Sequence, residues 1–476
     1  MNLALLMPEW IVLGILIVLT VFELLLVDNE ILYKRVRNII LFGGLASVAL
    51  ALIATSGQTG SVFNGTVIVD PFGTFFKLLF TGALAAVIQM SRSFFKMGPE
   101  KTHEFYLVLW IALAGFFLLV SSNDFLVFFL ALETVTLSFY ILTAYLKKDS
   151  KSIESGMKYF ILGSLASAIL VYGISLIYAV AGSTAFPAVR QAFTAAPQHG
   201  VLLAAACMVL AGLFFKVAAF PFQLWVPDVY EGAPSPVVAF LSVASKSAGF
   251  AALLRILWTV FPVLENQWLP VLPVIALLTL LYGNFGALVQ TRLKRLMGYS
   301  SIGHAGYLLL ALSVGGKAGL AALLYYLAAY AVTTLALFGV ICAAEPYLKS
   351  DKIEAYRGLG KRSPFLAGVM FLALLSSAGV PPLAGFSGKF LVLLAAVQAN
   401  LNWLAFIGVM AVALSLYYYL NLVRVMYFDE SPREDSIPVC PATRALLTLL
   451  SAGILAAGLF LAPVLSWAEN AVKYLF

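Results

Sequence analysis

Long apolar stretches constrain this chain more than any other feature. A helix needs about 20 apolar residues to cross the hydrocarbon core of a membrane, and the chain contains fourteen such stretches. They lie near 8–27, 36–56, 70–91, 102–121, 123–146, 155–182, 200–223, 233–260, 269–290, 297–314, 318–344, 364–397, 402–427 and 442–467. Only 11% of the 476 residues are charged, against about 25% in soluble domains, so a water-soluble fold is excluded. Membrane β-barrels require short alternating segments, so we predict an all-α polytopic membrane protein.

Basic residues are distributed unevenly between the two predicted sides of the membrane. With the N-terminus outside, the inner loops and helix edges hold 21 basic residues, including Lys96, Lys101 and Arg433. The outer segments hold only 3, which are Arg190, Lys317 and Lys473. The positive-inside rule therefore predicts both termini on the outer side. Because the basic residues lie in short loops between apolar runs, the net charge of +7 does not indicate nucleic-acid binding.

The residues that usually bind cofactors are few and scattered. The chain has three cysteines without a CxxC pair and three histidines far apart, namely Cys207, Cys342, Cys440, His103, His199 and His304. This pattern favours neither an iron–sulfur cluster nor a disulfide framework nor a haem or zinc site. Since no glycine-rich fingerprint follows a predicted strand either, we expect no cofactor or metal in this chain.

Ionisable residues inside the spans are the candidates for function, because each costs roughly 2.5–3.5 kcal/mol at the centre of a bilayer unless it has a partner or water. Glu133 lies mid-way along the fifth span and heads a polar stripe with Thr136 and Tyr140. A packing stripe that hydrogen-bonds a neighbouring helix is the alternative. Lys246 lies mid-way along the eighth span beside small residues that leave room for water, and a structural ion pair is its alternative.

Four further ionisable residues lie closer to the ends of their spans. Lys77 and Arg255 are each within a few turns of an outer end, and Glu23 and Glu345 lie near helix ends. Long side chains in such places can extend to the membrane interface. We therefore expect these residues to reach the interface rather than to act inside the membrane.

Two spans contain helix breakers next to a lysine. Pro221 follows Lys216 in the seventh span, and the Pro381–Pro382 pair precedes Lys389 in the twelfth. Proline cannot donate to the carbonyl one turn earlier, so both spans are predicted to be discontinuous helices. Ordinary kinks are the alternative.

Interrupted helices in corresponding places of two halves are typical of inverted repeats around an ion path. The predicted division is 1–101 for helices one to three, 102–260 for the first five-helix repeat, 261–427 for the second, inverted repeat and 428–476 for the last helix. Under this pairing Glu133 corresponds to His304, and each lies a similar distance before its lysine, 83 residues to Lys216 and 85 residues to Lys389. His304 is then either a proton relay, since histidine titrates near neutrality, or a hydrogen-bonded core residue.

Two segments resemble a known family. KVAAFPFQLWVPDVYEGAPSPVVAFLSVASKSAGF and SSAGVPPLAGFSGKF are similar to the broken-helix regions of the antiporter-like membrane subunits of proton-pumping NADH:quinone oxidoreductase, respiratory complex I. The resemblance covers nearly the whole chain. It is closest to the N-type subunits, because M-type subunits usually carry a glutamate where this chain has Lys389, and L-type subunits usually continue into a long lateral helix after the last span.

The resemblance implies a proton-translocating subunit in a bacterial inner membrane, packed in the lipid bilayer beside sister antiporter-like subunits. It implies that NAD, FMN, iron–sulfur clusters and quinone are bound by partner subunits, and that Glu133, Lys216, Lys246, His304 and Lys389 form the proton path. The alternative is a subunit of a multisubunit cation/proton antiporter or related redox complex, since buried lysines and broken helices serve both. An assembly scaffold with vestigial polar sites is a third hypothesis.

Overall fold

The computed structural model describes residues 3–25, 30–95, 102–431 and 435–475 and is dominated by helices. The first helices are α1 Met7–Leu25, α2 Glu30–Ala54, α3 Pro71–Phe94, α4 His103–Ser121, α5 Phe125–Thr143, α6 Ser150–Ala181, α7 Phe186–Ala195, α8 Gly200–Val217 and α9 Trp225–Gly232. The remaining helices are α10 Ser235–Phe240, α11 Lys246–Arg255, α12 Glu265–Trp268, α13 Leu272–Leu288, α14 Leu293–Val314, α15 Gly316–Leu348, α16 Leu359–Arg362, α17 Pro364–Ala378, α18 Ala384–Gln398, α19 Asn402–Tyr427, α20 Pro441–Leu459 and α21 Leu461–Val472. The predicted all-α polytopic architecture is confirmed.

The number of spans depends on how the interrupted helices are counted. Within the described residues, eleven helices are long and apolar enough to cross a membrane, or twelve if the pair Pro262–Trp268 and Leu272–Leu288, bent by 57°, is one span. Helix α14 occupies the predicted tenth span, and α17 and α18, of 15 residues each, share the predicted twelfth. The total of fourteen stays a prediction. The end of the first predicted span and the basic residues Lys96, Lys101 and Arg433 lie outside the described residues.

Helix ends follow local rules of capping. Asp70 accepts a hydrogen bond from the amide of Gly73 and Pro71 opens α3, which satisfies an orphan donor and presets the backbone of the first turn. Asp124 caps α5 in the same way. Gly182 ends α6 in the left-handed conformation, where a glycine meets no steric penalty. These caps fix where the long helices begin and end.

A short β-hairpin joins α2 to α3. Strands β1 Gly60–Val62 and β2 Val67–Val69 pair antiparallel, with Gly60 opposite Val69. The four-residue connection between the strands contains three consecutive residues with positive φ, Phe63, Asn64 and Gly65, and asparagine and glycine adopt this conformation readily. The hairpin lies between the second and third predicted spans, and the all-α class is otherwise unaffected.

The helices differ strongly in burial. The segment Ser235–Val260 contains α10 and α11, each followed by a π-helical turn. Within an 18-residue apolar stretch of this segment 94% of the residues are buried, and the corresponding share is 89% in α15. By contrast, the share is 28% in α20 and 39% in α6. The eighth and eleventh spans therefore form the centre of the bundle, and the less buried helices present apolar side chains outward to lipid or to other proteins.

Candidate functional site

The seventh span is broken between α8 and α9, as predicted. Helix α8 ends at Val217, and Ala218 then adopts the left-handed conformation with φ 61°. The carbonyl of Phe215 accepts a hydrogen bond from the Trp225 indole at 3.1 Å. The amide of Phe220 donates to the Thr279 hydroxyl at 3.0 Å. Backbone groups at the break are therefore bound in part by side chains, one from α9 and one from α13.

Lys216 lies in the last turn of α8, immediately before this break. Its side chain is buried, and its Nζ donates to the hydroxyl of Thr136 on α5 at 2.6 Å. Glu133 lies one turn before Thr136 on α5. It interacts electrostatically with Lys216, but Glu133 and Lys216 do not form an ion pair. Glu133 instead accepts a hydrogen bond from Ser167 on α6 at 2.6 Å. This last contact is the one that the packing alternative for Glu133 predicted.

Lys246 is the first residue of α11 and follows a π-helical turn. Its Nζ donates to the Ser301 carbonyl at 2.6 Å and to the Ser301 hydroxyl, and the Tyr330 hydroxyl lies 3.4 Å away. Within the part of the chain that the structure describes, Lys246 forms no ion pair. The structural ion pair that was the alternative for Lys246 is therefore not present.

Gly249 is one of the small residues beside Lys246 that were expected to leave room for water, and its role is different. A Cβ atom at this position would lie 2.8 Å from the Val217 side chain and 3.5 Å from the Cβ of Lys216. The missing side chain thus lets α11 approach α8 closely instead of leaving room for water. As a consequence, the helix that carries Lys246 packs directly against the end of the helix that carries Lys216.

His304 lies in the middle of α14 and is buried. Its Nδ1 is 2.6 Å from the Tyr326 hydroxyl, and its Nε2 is 3.3 Å from the Tyr419 hydroxyl. Lys246 and Lys389 both interact with it electrostatically. The histidine is therefore hydrogen-bonded at both ring nitrogens, to a tyrosine of α15 and a tyrosine of α19.

The twelfth span is broken between α17 and α18, also as predicted. Helix α17 ends at Ala378, and Gly379 follows with φ 91°. Lys389 returns from α18 to donate to the carbonyls of Ser377 and Ala378, at 2.8 Å and 3.1 Å. These are the carbonyls that the two prolines were expected to release. A Cβ at Gly379 would lie 3.1 Å from the Lys389 stem, so glycine both permits the turn and leaves space for the lysine.

The expectation that Lys77 and Arg255 extend to the membrane interface is wrong. Both are 2% exposed. Lys77 forms an ion pair with Glu9 at 2.5 Å and Arg255 forms one with Asp70 at 2.6 Å. The span ends are covered by α1 and by the start of α3, so these cations are buried and paired with carboxylates.

The two carboxylates near helix ends also have partners inside the protein. Glu23 accepts a hydrogen bond from the Tyr33 hydroxyl at 2.5 Å. Glu345 accepts one from Ser235 and forms an ion pair with Lys294 at 3.3 Å. The expectation that they extend to the interface is therefore replaced by contacts between neighbouring helices.

A network of ion pairs, which the sequence did not predict, lies at the predicted inner edge. Arg295 contacts Asp228 at 2.5 Å and Glu231 at 3.1 Å, and Arg292 contacts Asp351 at 2.7 Å. It joins the loops around α9, α14 and α15 beside a pocket of about 220 Å³. Burial raises the pKa of the Asp351 carboxyl, but hydrogen bonds from Arg292 and nearby cations outweigh it, so this pKa lies below its usual value. The two acidic residues of the PDVYEG segment, Asp228 and Glu231, were the available signal.

Buried tyrosines also surround the lysines and were not predicted. Tyr230 and Tyr330 both lie within hydrogen-bonding distance of the Ser301 hydroxyl, at 2.9 Å and 3.1 Å. The ring of Tyr307 lies 5.0 Å from the Lys389 ammonium. A tyrosine inside a span resembles any other aromatic residue in a hydropathy pattern, so only its position relative to the lysines distinguishes it.

Comparisons with known proteins agree on one family. The matching family model is described as NADH:quinone oxidoreductase/Mrp antiporter, transmembrane, and covers residues 122–415. NADH-quinone oxidoreductase subunit N of Paramagnetospirillum magneticum is 38% identical over 445 residues, which are 92% of this chain and 91% of that protein.

Solved structures show the same fold. A chain of respiratory complex I from Thermus thermophilus with bound aureothin matches with a TM-score of 0.81 and 32% identity, over 97% of this chain and 99% of that chain. A chain of the Mrp complex from Dietzia sp. matches with a TM-score of 0.87 over 100% and 98% of the two chains, and its 22% identity shows the shared fold alone. This protein therefore belongs to the NADH:quinone oxidoreductase/Mrp antiporter family of transmembrane subunits, among relatives named subunit N of NADH-quinone oxidoreductase.

Proposed function

We propose that this chain is a proton-translocating membrane-arm subunit of an NADH:quinone oxidoreductase, and that Glu133, Lys216, Lys246, His304 and Lys389 carry the proton. The names of its relatives support the assignment to this enzyme. In this assignment the chain performs no redox chemistry. NAD, FMN, iron–sulfur clusters and quinone are bound by partner subunits, and sister antiporter-like subunits pack beside this one.

One observation carries the proposal. Lys216, Lys246 and Lys389 are buried, and all of their hydrogen bonds in the described structure are to neutral oxygens. The buried cations Lys77 and Arg255, in contrast, are paired with carboxylates. A buried cation without a counter-ion is unfavourable unless it can lose its proton. Arginine or a salt-bridged lysine would serve a structural role better than these three residues do.

The proposed route runs through both halves of the fold. The proton passes between Glu133 and Lys216, moves through water to Lys246, and continues by His304 and Lys389 towards the outer side. Changes in charge or conformation that accompany quinone chemistry in partner subunits bias the Glu133–Lys216 pair. Both termini lie on the outer, periplasmic side in this arrangement, which follows the distribution of basic residues.

The proposed repeats, 102–260 and 261–427, gain support from equivalent details. Each broken span has a left-handed residue directly after its first half, Ala218 in one and Gly379 in the other. Glu133 on α5 bonds to α6, and its proposed counterpart His304 on α14 bonds to α15. The two lysines differ, however, since Lys216 bonds to a neighbouring helix and Lys389 bonds to its own broken span.

The test compares coupled and uncoupled activities of the whole complex in membrane vesicles. Lys216→Ala should reduce NADH-driven, quinone-dependent proton uptake by about ten-fold or more, equivalent to about 1.4 kcal/mol or more in the barrier. Electron transfer from NADH to an artificial hydrophilic acceptor should not change. Lys216→Arg should rescue poorly, because guanidinium does not deprotonate in proteins. Lys317→Ala, which removes an exposed lysine, is the matched control.

Two outcomes contradict the proposal. If Lys216→Arg and Glu133→Ala both assemble and pump at the wild-type proton-to-electron ratio, the buried charges are structural. If the chain purifies from native membranes without flavin and iron–sulfur subunits and exchanges cations for protons without an electron donor, the antiporter alternative is correct.

A further inference from the structure

Hydroxyl groups fill the space around His304. Tyr419 of α19 directs its hydroxyl at the histidine, 3.3 Å from Nε2, and the same hydroxyl is hydrogen-bonded to the Ser300 hydroxyl one turn earlier on α14. Helix α19 also packs against α17 and α18, the two halves of the broken twelfth span. Tyr419 is 1% exposed. A single buried hydroxyl thus contacts the histidine and the preceding turn of the same helix, and it belongs to a helix that packs against the broken twelfth span.

The helices that pack around this hydroxyl carry the hydrogen-bond partners of both lysines. Ser301, the neighbour of Ser300 in the chain, binds Lys246 through its carbonyl and its hydroxyl. Ser377 accepts a hydrogen bond from Lys389 at 2.8 Å through its carbonyl. His304 itself has no direct hydrogen bond to either lysine in the described structure. The hydrogen-bond partners of the two lysines are therefore neutral hydroxyls and carbonyls.

We propose that the Tyr419 hydroxyl, together with Ser300, relays the proton between His304 and the broken twelfth span at Ser377 and Lys389. This inference rests on the proposed function, because it supplies a connection that the route from His304 to Lys389 lacks. Nothing in the lysine and histidine pattern identifies Tyr419, which lies in a span without intramembrane charges.

The relay requires no charged tyrosine. As His304 gives up a proton from Nε2, the Tyr419 oxygen accepts it on a lone pair and releases its own proton to the next hydroxyl or water towards Lys389. One N–H and one O–H bond break and two O–H bonds form, so the tyrosine is again neutral after each transfer. The hydroxyl must then rotate back, which restores the direction of the hydrogen bonds in the relay for the next proton.

The neighbouring residue Tyr418 provides a matched control. It is also buried on α19, and its ring lies 4.5 Å from that of Tyr419. Its hydroxyl, however, donates to Asn284 on α13 at 3.2 Å. Replacing either tyrosine by phenylalanine removes one buried hydroxyl and leaves the ring, but only Tyr419→Phe interrupts the proposed relay.

The experiment uses the whole complex in proteoliposomes. Tyr419→Phe should assemble normally and reduce proton uptake per NADH oxidised at least two-fold. It should also change the solvent deuterium isotope effect on coupled turnover. Tyr418→Phe should leave both quantities near their wild-type values. Ser300→Ala should weaken pumping in the same direction, and Ser300→Thr, which keeps the hydroxyl, should restore it. Reduced assembly is measured separately by the amount of intact complex.

The outcomes separate this inference from the proposed function. If Lys389→Ala stops coupled pumping but Tyr419→Phe has the same proton uptake per NADH oxidised and the same isotope effect as Tyr418→Phe, the relay is wrong and the proposed function stands. If Lys389→Ala and Lys216→Ala also pump normally, both are wrong. If Tyr419→Phe fails to assemble, the Ser300→Ala and Ser300→Thr pair decides: equal pumping by the two overturns the relay, and rescue by threonine supports it.

Discussion

The ammonium of Lys216 is hydrogen-bonded to the hydroxyl of Thr136 at 2.6 Å, although Glu133 lies one turn away on the same helix as that threonine. The Glu133 carboxylate instead accepts a hydrogen bond from the Ser167 hydroxyl of α6. The residue that positions the lysine is therefore a neutral hydroxyl, and the carboxylate is held a short distance away. In the proposed mechanism this separation keeps the charge of the pair free to change.

Thr136→Val tests this contact, because valine has nearly the shape of threonine without the hydroxyl. The change leaves Lys216 with one hydrogen bond fewer in a buried place, at a cost of about 1–3 kcal/mol, and we expect coupled turnover to fall several-fold. Thr136→Ser should keep most of it. Thr134→Val is the control, since among the described residues the Thr134 hydroxyl bonds only to the carbonyl of Leu130 on its own helix. Equal turnover in Thr136→Val and Thr134→Val would contradict a positioning role.

Lys389 has two separable tasks, which are to bind the Ser377 and Ala378 carbonyls and, by proposal, to exchange a proton. Lys389→Ala removes both and should reduce pumping about ten-fold and thermal stability by about 1–3 kcal/mol. Lys389→Arg keeps donors but cannot deprotonate, so it should restore stability more than pumping. Quinone-coupled proton uptake and the thermal midpoint of the purified complex distinguish the two. Full pumping by the arginine variant would remove Lys389 from the proton path.

We expect the Arg255–Asp70 ion pair to stabilise the fold, so variants of either residue should change the stability of the protein. Arg255→Met leaves the Asp70 carboxylate buried without its ion-pair partner and should destabilise the protein by about 3–5 kcal/mol. Adding Asp70→Asn, which can still cap α3, should recover at least half of that loss. The thermal midpoint and the amount of assembled complex measure both effects. A double variant no more stable than Arg255→Met would show that the buried charge is not the cause.

The predicted orientation can be tested by cysteine labelling in a background without exposed native cysteines. A cysteine at Asn402, which is exposed, should react with an impermeant thiol reagent added from outside, and one at Asp351 should not. Because Asp351 is paired with Arg292, the exposed neighbour Lys352 is the better inner position. The opposite labelling pattern would reverse the topology and, with it, the proposed direction of proton movement.

The inner ion-pair network makes a prediction about pH. Because the folded-state pKa of Asp351 is depressed, its stabilising contribution is present above the ordinary value of 3.8 and is lost as the pH falls through the lower, folded-state value. Asp351→Asn should therefore lower the thermal midpoint by a constant amount from about pH 5 to 8, worth about 1 kcal/mol or less. The difference should vanish in stronger acid. A difference that varies across the neutral range would indicate another titrating group.

Hydropathy predicted the helical architecture because the membrane leaves few alternatives, whereas the details depended on local chemistry. Both broken spans followed from the missing donor of proline. The β-hairpin was overlooked although Asn64 and Gly65 provided its turn signal. The burial of Lys77 could not be predicted, because the partner that makes it possible, Glu9, is 68 residues away in sequence on another helix.

Within the candidate site, the sequence identified the ionisable residues but not what binds them. A charge inside an apolar run is conspicuous, and the structure places Lys246, His304 and Lys389 near one another. The serines and tyrosines that contact them have ordinary positions in their helices. Which hydroxyl faces which lysine depends on how the helices pack, and a single sequence contains no direct record of that packing.

The left-handed residues at the two breaks have unequal conformational costs. Gly379 adopts its positive φ freely, but Ala218 at φ 61° carries a β-carbon in a region that costs an L-residue roughly 1–2 kcal/mol. The second break is thus a shape its own residues prefer, whereas the first is imposed by its surroundings, among them Thr279. A rearrangement that lets Ala218 leave the left-handed conformation would release this free energy, whereas the same change at Gly379 would release almost none. The two halves of the fold therefore need not respond alike to the same conformational change.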